Sequence, residues 1–286
     1  MSQHAVHTIL ATERPTARAR RRQGLLRPSA LSSRAARLRL QPKEPRAAIL
    51  TYTRTLARFM AGLEEAWLFE IERFLSRQDV IDPAALPART LRELLNRMSL
   101  QAIQLLTPEE LEALLLSLGH RVDVLSTVEI GRILGAPRLV RTLGSTIGQQ
   151  VAWRRANVTL IESIHRDLLP QVETILQEGQ GLRVEVIRNQ ILRRFDVTRS
   201  RADLIARDQV LKLYGQANRT KQINVGVTEY IWSTSKDERV RETHVDLEGT
   251  RHSWTNPPIV SKDGRREHPG GDYQCRCVAI PVLPGE

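Results

Sequence analysis

The chain has 286 residues, of which 41% are hydrophobic and 4% aromatic, and it carries two cysteines. That is enough for one large or two modest domains, each with its own core. No apolar run approaches the roughly 18 residues a bilayer crossing needs, the N-terminus lacks the apolar core of a secretion signal, and two cysteines two positions apart give no disulfide scaffold. The formal charge of +11 is unevenly spread: residues 1–46 hold ten arginines and Lys43 against Glu13 and Glu44, a balance of +9. The basic character belongs to an arm and not to the body.

In that arm stand Arg14, Arg18, Arg20, Arg21, Arg22, Arg27, Arg34, Arg37 and Arg39, with Pro15, Pro28, Pro42 and Pro45 interrupting any long helix. Like charges at this density repel one another and stay extended until a partner neutralises them. A solvated tail and an arm docked on nucleic acid or an acidic protein surface are both open readings, and the acid-poor composition also has something of an organelle transit peptide.

From Pro45 the pattern turns helical. Leu56, Phe59, Met60, Leu63, Trp67, Ile71 and Phe74 recur at spacings of three and four, which predicts a long amphipathic helix. A further run is expected near 88–104, and another from Thr107, where Thr107-Pro108-Glu109-Glu110 supplies an N-cap, a proline at the first helical position and an acidic first turn. Gly119 and Gly135 punctuate the next stretch of chain. Val158, Ile161, Ile164, Leu168, Val172, Ile175 and Leu176 form a second long stripe, which Pro170 is expected to kink or divide. A helix from Val184 to Phe195 comes next, then a separate one starting at Ser200, three residues before Asp203. Val227 to Thr234 is rich in Val, Thr, Tyr, Ile and Trp and reads as a strand. The expected fold is mainly α: a basic arm over 1–46, a helical body over 47–225, and a small α+β or β-rich C-terminal module over 226–286.

Between Tyr230 and Cys277 the residue types change. Trp232, Asp237, Arg239, Arg241, His244, Gly249, Pro257-Pro258, Gly270-Gly271 and Cys275-Arg276-Cys277 crowd a loop-rich stretch that needs a reason to be ordered. Helical spacing places Asp237, Arg241 and His244 on one face. Three chemistries can use these residues. One is a zinc site with His244, Cys275, Cys277 and either His268 or His252, although Cys-x-Cys is less diagnostic than Cys-x-x-Cys and no second pair exists. Another is catalysis by His244 with Asp237 or Asp246, unsupported by any phosphate loop or nucleophile elbow. Residue chemistry favours the third, a hydrogen-bonded network of Trp232, Asp237, Arg239, Arg241, His244 and Gly249, with two buried cysteines and no cofactor.

The order of residues adds what the chemistry does not. Arg201-Ala202-Asp203-Leu204-Ile205-Ala206-Arg207-Asp208, Asn218, Gly226-Val227, Tyr230-Ile231-Trp232, Asp237, Arg239-Val240-Arg241, His244, Gly249, Pro269-Gly270 and Cys275-Arg276-Cys277 together resemble the Mu F-like head-morphogenesis family of tailed bacteriophages. The resemblance spans roughly 155–281. Asp208-Gln209 departs from the Thr-Glu usual after Ile-Ala-Arg, and the family often has a histidine nearer the Cys-x-Cys than His268. The resemblance implies a non-enzymatic minor head protein, located in the virion head at or near the portal vertex and in the host cytoplasm during assembly. It implies a portal protein as partner, with the major capsid or scaffolding protein as further candidates, and the N-terminal helices as the portal-binding part. No membrane partner is expected. In such a role Arg18, Arg20, Arg21, Arg22, Arg27, Arg34, Arg37 and Arg39 would contact the portal or bind packaged DNA without sequence preference. The alternative of another class is a nuclease or toxin-like C-terminal module using His244. Domains of this family can be joined to toxins, but with the sequence ending at Glu286 no appended effector is expected.

Overall fold

The computed structural model describes residues 42–76, 88–143, 145–179 and 182–283. The basic arm, with Arg18, Arg20, Arg21, Arg22, Arg27, Arg34, Arg37 and Arg39, lies outside them. The described chain is mainly helical: α1 (Arg46–Ser76), α2 (Ala88–Leu105), α3 (Pro108–Leu134), α4 (Pro137–Leu143), α5 (Ile147–Glu178) and α6 (Val184–Asn224) precede the strand β1 (Glu229–Ser233). The one-turn helix α7 (Glu242–Val245), β2 (Arg251–Ser253) and β3 (Val278–Val282) follow. By packing the chain divides into two compact units. Of the described residues, one comprises those within 46–119 and 151–209; the other comprises 42–45 and those within 120–150 and 210–283. The unit that holds residues 226–286 therefore also takes in two pieces of the 47–225 segment.

In the first unit, the stripe of α1 is buried along Tyr52, Leu56, Phe59, Met60, Leu63, Trp67, Ile71 and Phe74. Its polar atoms are satisfied as it is buried: Trp67 Nε1 donates to the Met98 carbonyl at 2.9 Å, and the Tyr52 hydroxyl donates to Asn157 Oδ1 at 2.9 Å. The start of α3 is capped as its sequence predicts. Thr107 Oγ1 accepts from the Glu110 N–H, and Glu110 Oε2 accepts from the Thr107 N–H.

Three sequence expectations fail here. Pro170 neither divides nor ends α5, which runs unbroken from Ile147 to Glu178; Leu168, Val172, Ile175 and Leu176 are buried on both sides of it, and that packing outweighs the single lost backbone bond. Ser200 does not start a helix, because its hydroxyl donates back to the Asp196 carbonyl inside the continuous 41-residue α6. Gly119 lies within α3, whereas Gly135, at φ 68°, follows its end.

In the second unit the three strands form an antiparallel sheet in the order β2-β1-β3. Tyr230 faces His252 on β2 and Pro281 on β3. Strand side chains alternate, so the two faces of the sheet bury different groups. Tyr230, Trp232, Trp254, Val260, Cys275, Cys277 and Ala279 pack together, whereas Ile231, Ile280 and Val282 form a separate cluster. The C-terminal part of α6 is fixed by polar contacts: buried Lys221 pairs with Asp123 at 2.5 Å, Ser126 donates to Asn218 at 2.6 Å, and Gln222 donates to the Ala279 carbonyl at 2.9 Å.

Candidate functional site

Trp232 sits on the central strand, so its ring enters the buried face between the Cys-x-Cys segment and α7. The strand is held on its flank by a turn: Gly249, at φ 76°, donates its N–H to the Trp232 carbonyl at 2.8 Å, and the Trp232 N–H reaches the Thr250 carbonyl at 2.9 Å. Glycine adopts that backbone conformation without the steric cost other residues meet. The Trp232 and His244 rings meet edge to face, with centroids 5.5 Å apart.

His244 lies on α7 and is 2% exposed. Its Nδ1 stands 3.7 Å from Cys275 Sγ and 3.5 Å from Cys277 Sγ. On the other side of the ring, Nε2 lies 3.2 Å from Asp272 Oδ2. Both cysteines are free thiols and both are buried. Asp272 is the centre of the polar network. Arg241 Nη1 donates to its Oδ2 at 3.0 Å, Arg265 Nη1 pairs with its Oδ1 at 2.8 Å, and the Tyr273 N–H donates to Oδ1 at 2.8 Å. Arg241 also donates to the Tyr273 carbonyl.

The electrostatics follow from this geometry. Burial opposes charge on His244, but its hydrogen bonds to Asp272 and Cys275 outweigh that and push it up to about 9. Cys275 is held well below the ordinary thiol value by its contact with Cys277, against the cost of burial and with help from His244. Cys277 is pushed up by the same contact and by burial. The contacts thus favour positive charge on His244 and negative charge on the cysteine pair beside it.

The loop carrying Asp272 and Cys275 is seated on α6 by two glycines. Gly270 has φ 83°, and a Cβ there would fall 3.1 Å from the Gly215 Cα; a Cβ on Gly215 would fall 2.9 Å from the Pro269 carbonyl oxygen. A side chain at Gly215 would force the turn to shift, and one at Gly270 would meet both a tight contact and a backbone conformation that favours glycine. Lys212 and Arg265 lie over the Tyr273 ring at 4.7 and 5.0 Å.

The structure brings together Trp232, Arg241, His244, Cys275 and Cys277 of the residues singled out in the sequence, and separates others. Asp237 is not on a helical face with Arg241 and His244. Residues 237–240 form a turn in which Asp237 accepts from the Arg239 N–H at 3.0 Å, and its carboxylate makes a two-pronged ion pair with Arg276. The helix starts only at Glu242. Arg239 is exposed and contributes its backbone. His268 is not part of the His–Cys–Cys group: the Tyr230 hydroxyl lies 3.0 Å from its Nδ1, and its ring packs on Trp254 with centroids 5.0 Å apart. Burial, reinforced by the charge of Arg219, pushes His268 down to about 3. It is therefore a neutral ring, and the Tyr230 hydroxyl donates to it. His252 likewise is held by Thr250 Oγ1 at 2.7 Å, away from the group. Asp272 and Arg265 were missed in the sequence. The signal for Asp272 is an acid directly after the Gly270-Gly271 turn and three residues before Cys275; nothing local marks Arg265.

Among known proteins, residues 168–280 of the chain match the model of the family described as Phage Mu protein F like protein, which bears out the resemblance read from the order of residues. That family points to a bacteriophage head-morphogenesis protein. The chain is 38% identical over 129 residues to an uncharacterized protein of Haemophilus influenzae (strain ATCC 51907 / DSM 11121 / KW20 / Rd). The match covers 44% of this chain and 28% of that relative, so the chain spans little more than a quarter of the relative's length. No solved structure matches the chain. The departure from the family pattern at Asp208-Gln209 is absorbed into the first unit: the Gln209 carbonyl accepts from Trp153 Nε1 at 2.9 Å, and its side-chain oxygen accepts from Asn157 at 3.2 Å. Among the described residues, no helix is long and apolar enough to cross a membrane.

Proposed function

We propose that this chain is a bacteriophage minor head protein acting structurally at the portal vertex, in capsid assembly and in packaging or retention of DNA. The observation that carries this reading is the family match over residues 168–280, which encloses the buried Trp232, His244, Asp272, Cys275 and Cys277 together with Arg241, which binds Asp272 from the surface. The helices that precede the matched segment are then the portal-binding part, and the arginine-rich arm contacts packaged DNA or an acidic portal surface. Burial of His244 favours the structural role over a nuclease or toxin-like one. A general base must reach the proton it takes, and this ring is enclosed by Trp232, Asp272 and two sulfurs.

The test is co-expression with the portal protein of the same phage or prophage. Co-elution of the full chain with assembled portal rings, and heads that fail to form or to hold DNA when the gene is deleted, are the expected results. Normal DNA-filled heads from the deletion strain overturn the proposal. A His244→Ala chain that stays folded yet loses a nuclease or transferase activity seen with the wild type favours the enzymatic alternative.

A further inference from the structure

We infer that His244, Cys275 and Cys277 form a binding site for a zinc ion, with Asp272 as the carboxylate that orients the histidine. The three ligand atoms lie within 4.8 Å of one another and all three residues are buried. Their spacing is that of a tetrahedral site. Zinc bonds of about 2.05 Å to nitrogen and about 2.3 Å to sulfur, at a tetrahedral angle, put the nitrogen and each sulfur about 3.6 Å apart. The observed separations from Nδ1 are 3.7 and 3.5 Å.

The remaining geometry agrees. Nδ1 faces both sulfurs, so Nε2 is left to hydrogen-bond Asp272 at 3.2 Å. A metal-bound histidine typically gives its second N–H to a carboxylate, which fixes the tautomer and the ring orientation. Asp272 is itself held by Arg241, Arg265 and the Tyr273 N–H, so its position does not depend on the metal. Two thiolates and one imidazole suit zinc better than hard, oxygen-seeking cations. The charges also close: two thiolates, a neutral imidazole and a divalent cation sum to a neutral group, which suits a buried place. On binding, any protons still held by the two sulfurs and by Nδ1 are released to solvent. Three protein donors leave one tetrahedral position. The ion would tie α7 to a segment about 30 residues further along, in a module without a disulfide. Zinc binding here is independent of the portal role.

The test uses the full chain, free of any affinity tag, stripped of metal under reducing conditions and titrated with Co²⁺ and then Zn²⁺. Cys275 and Cys277 are the only cysteines in the sequence, so any thiolate-to-cobalt charge-transfer absorption must come from them. One equivalent of Co²⁺ is expected to raise that band together with tetrahedral ligand-field absorption, and Zn²⁺ is expected to remove both. The Asp272→Asn chain should keep the stoichiometry while its affinity falls roughly 10- to 100-fold. Cys277→Ser should lose most of the band. A wild-type chain that is folded by circular dichroism but shows no such absorption at saturating Co²⁺ overturns the proposal, as does a Cys277→Ser chain with an unchanged spectrum.

Discussion

Asp272 and Asp237 show how differently two aspartates of one module act. Asp272 is 3% exposed and accepts from two arginines, a histidine and a backbone N–H. Asp237 is exposed and pairs with Arg276 at the surface. Removing one partner of a buried ionic group strands the others, at a cost of about 3 kcal/mol, so Asp272→Ala is expected to lower stability by that order in denaturant titration. The same change at Asp237 is expected to have a much smaller effect. Equal losses would mean the two sites are energetically alike. His268 offers a second check. Its folded value of about 3 lies below the unfolded value of about 6.5. The unfolded chain therefore takes up a proton first as pH falls, and the stability His268 contributes is full above pH 6.5 and lost progressively from there towards pH 3. Between pH 7 and pH 5 the wild type should lose more melting temperature than His268→Gln. His244, shifted the other way, is common to both chains and drops out of the difference. At this scale the sequence made Trp232, Arg241, His244 and the two cysteines legible, because unusual residue types crowd there. It could not reveal Asp272 as their common partner, since Arg241 and His244, which bind it, lie 31 and 28 positions earlier.

Among the elements, the long helices were the most legible, since apolar spacing of three and four repeats over many turns in α1 and α5. Their interruptions were not. Pro170 and Ser200 are local signals for an end and a start, yet α5 and α6 pass through both because tertiary packing on either side is stronger than one backbone bond or one cap. The turn at 237–240 failed in the opposite direction: an i, i+4, i+7 pattern read as helix where Lys236 takes φ 55° and Asp237 binds the Arg239 N–H instead. The glycine contact between α6 and the 269–271 turn belongs to this scale too. Gly215→Ala must push the Pro269 carbonyl away, and with it the turn that leads into Asp272 and Cys275. The expected outcome is a lower melting temperature despite alanine's better helix propensity, together with changed near-ultraviolet dichroism from Trp232. A gain in stability would show that the close approach is not needed.

For the whole molecule, the expectation of a mainly helical chain with a small strand-containing C-terminal module holds, because composition and periodicity report on fold class over long windows. The pairing of residues 120–150 with the C-terminal segment was not legible, as no periodicity records which distant pieces of chain share a core. The arm's charge makes its own prediction. A chain lacking residues 1–40 should keep the melting temperature of the full chain and lose its salt-sensitive retention on DNA, because neutralising phosphates releases counterions. Retention unchanged by the truncation would place DNA contacts on the body. The sheet carries a last consequence, for self-association. Its outer strands are β2, three residues long, and β3, which holds Pro281. A short outer strand gives little for another chain to pair with, and a proline has no N–H to offer an incoming strand. Pairing of one copy with another edge to edge through this sheet is therefore disfavoured.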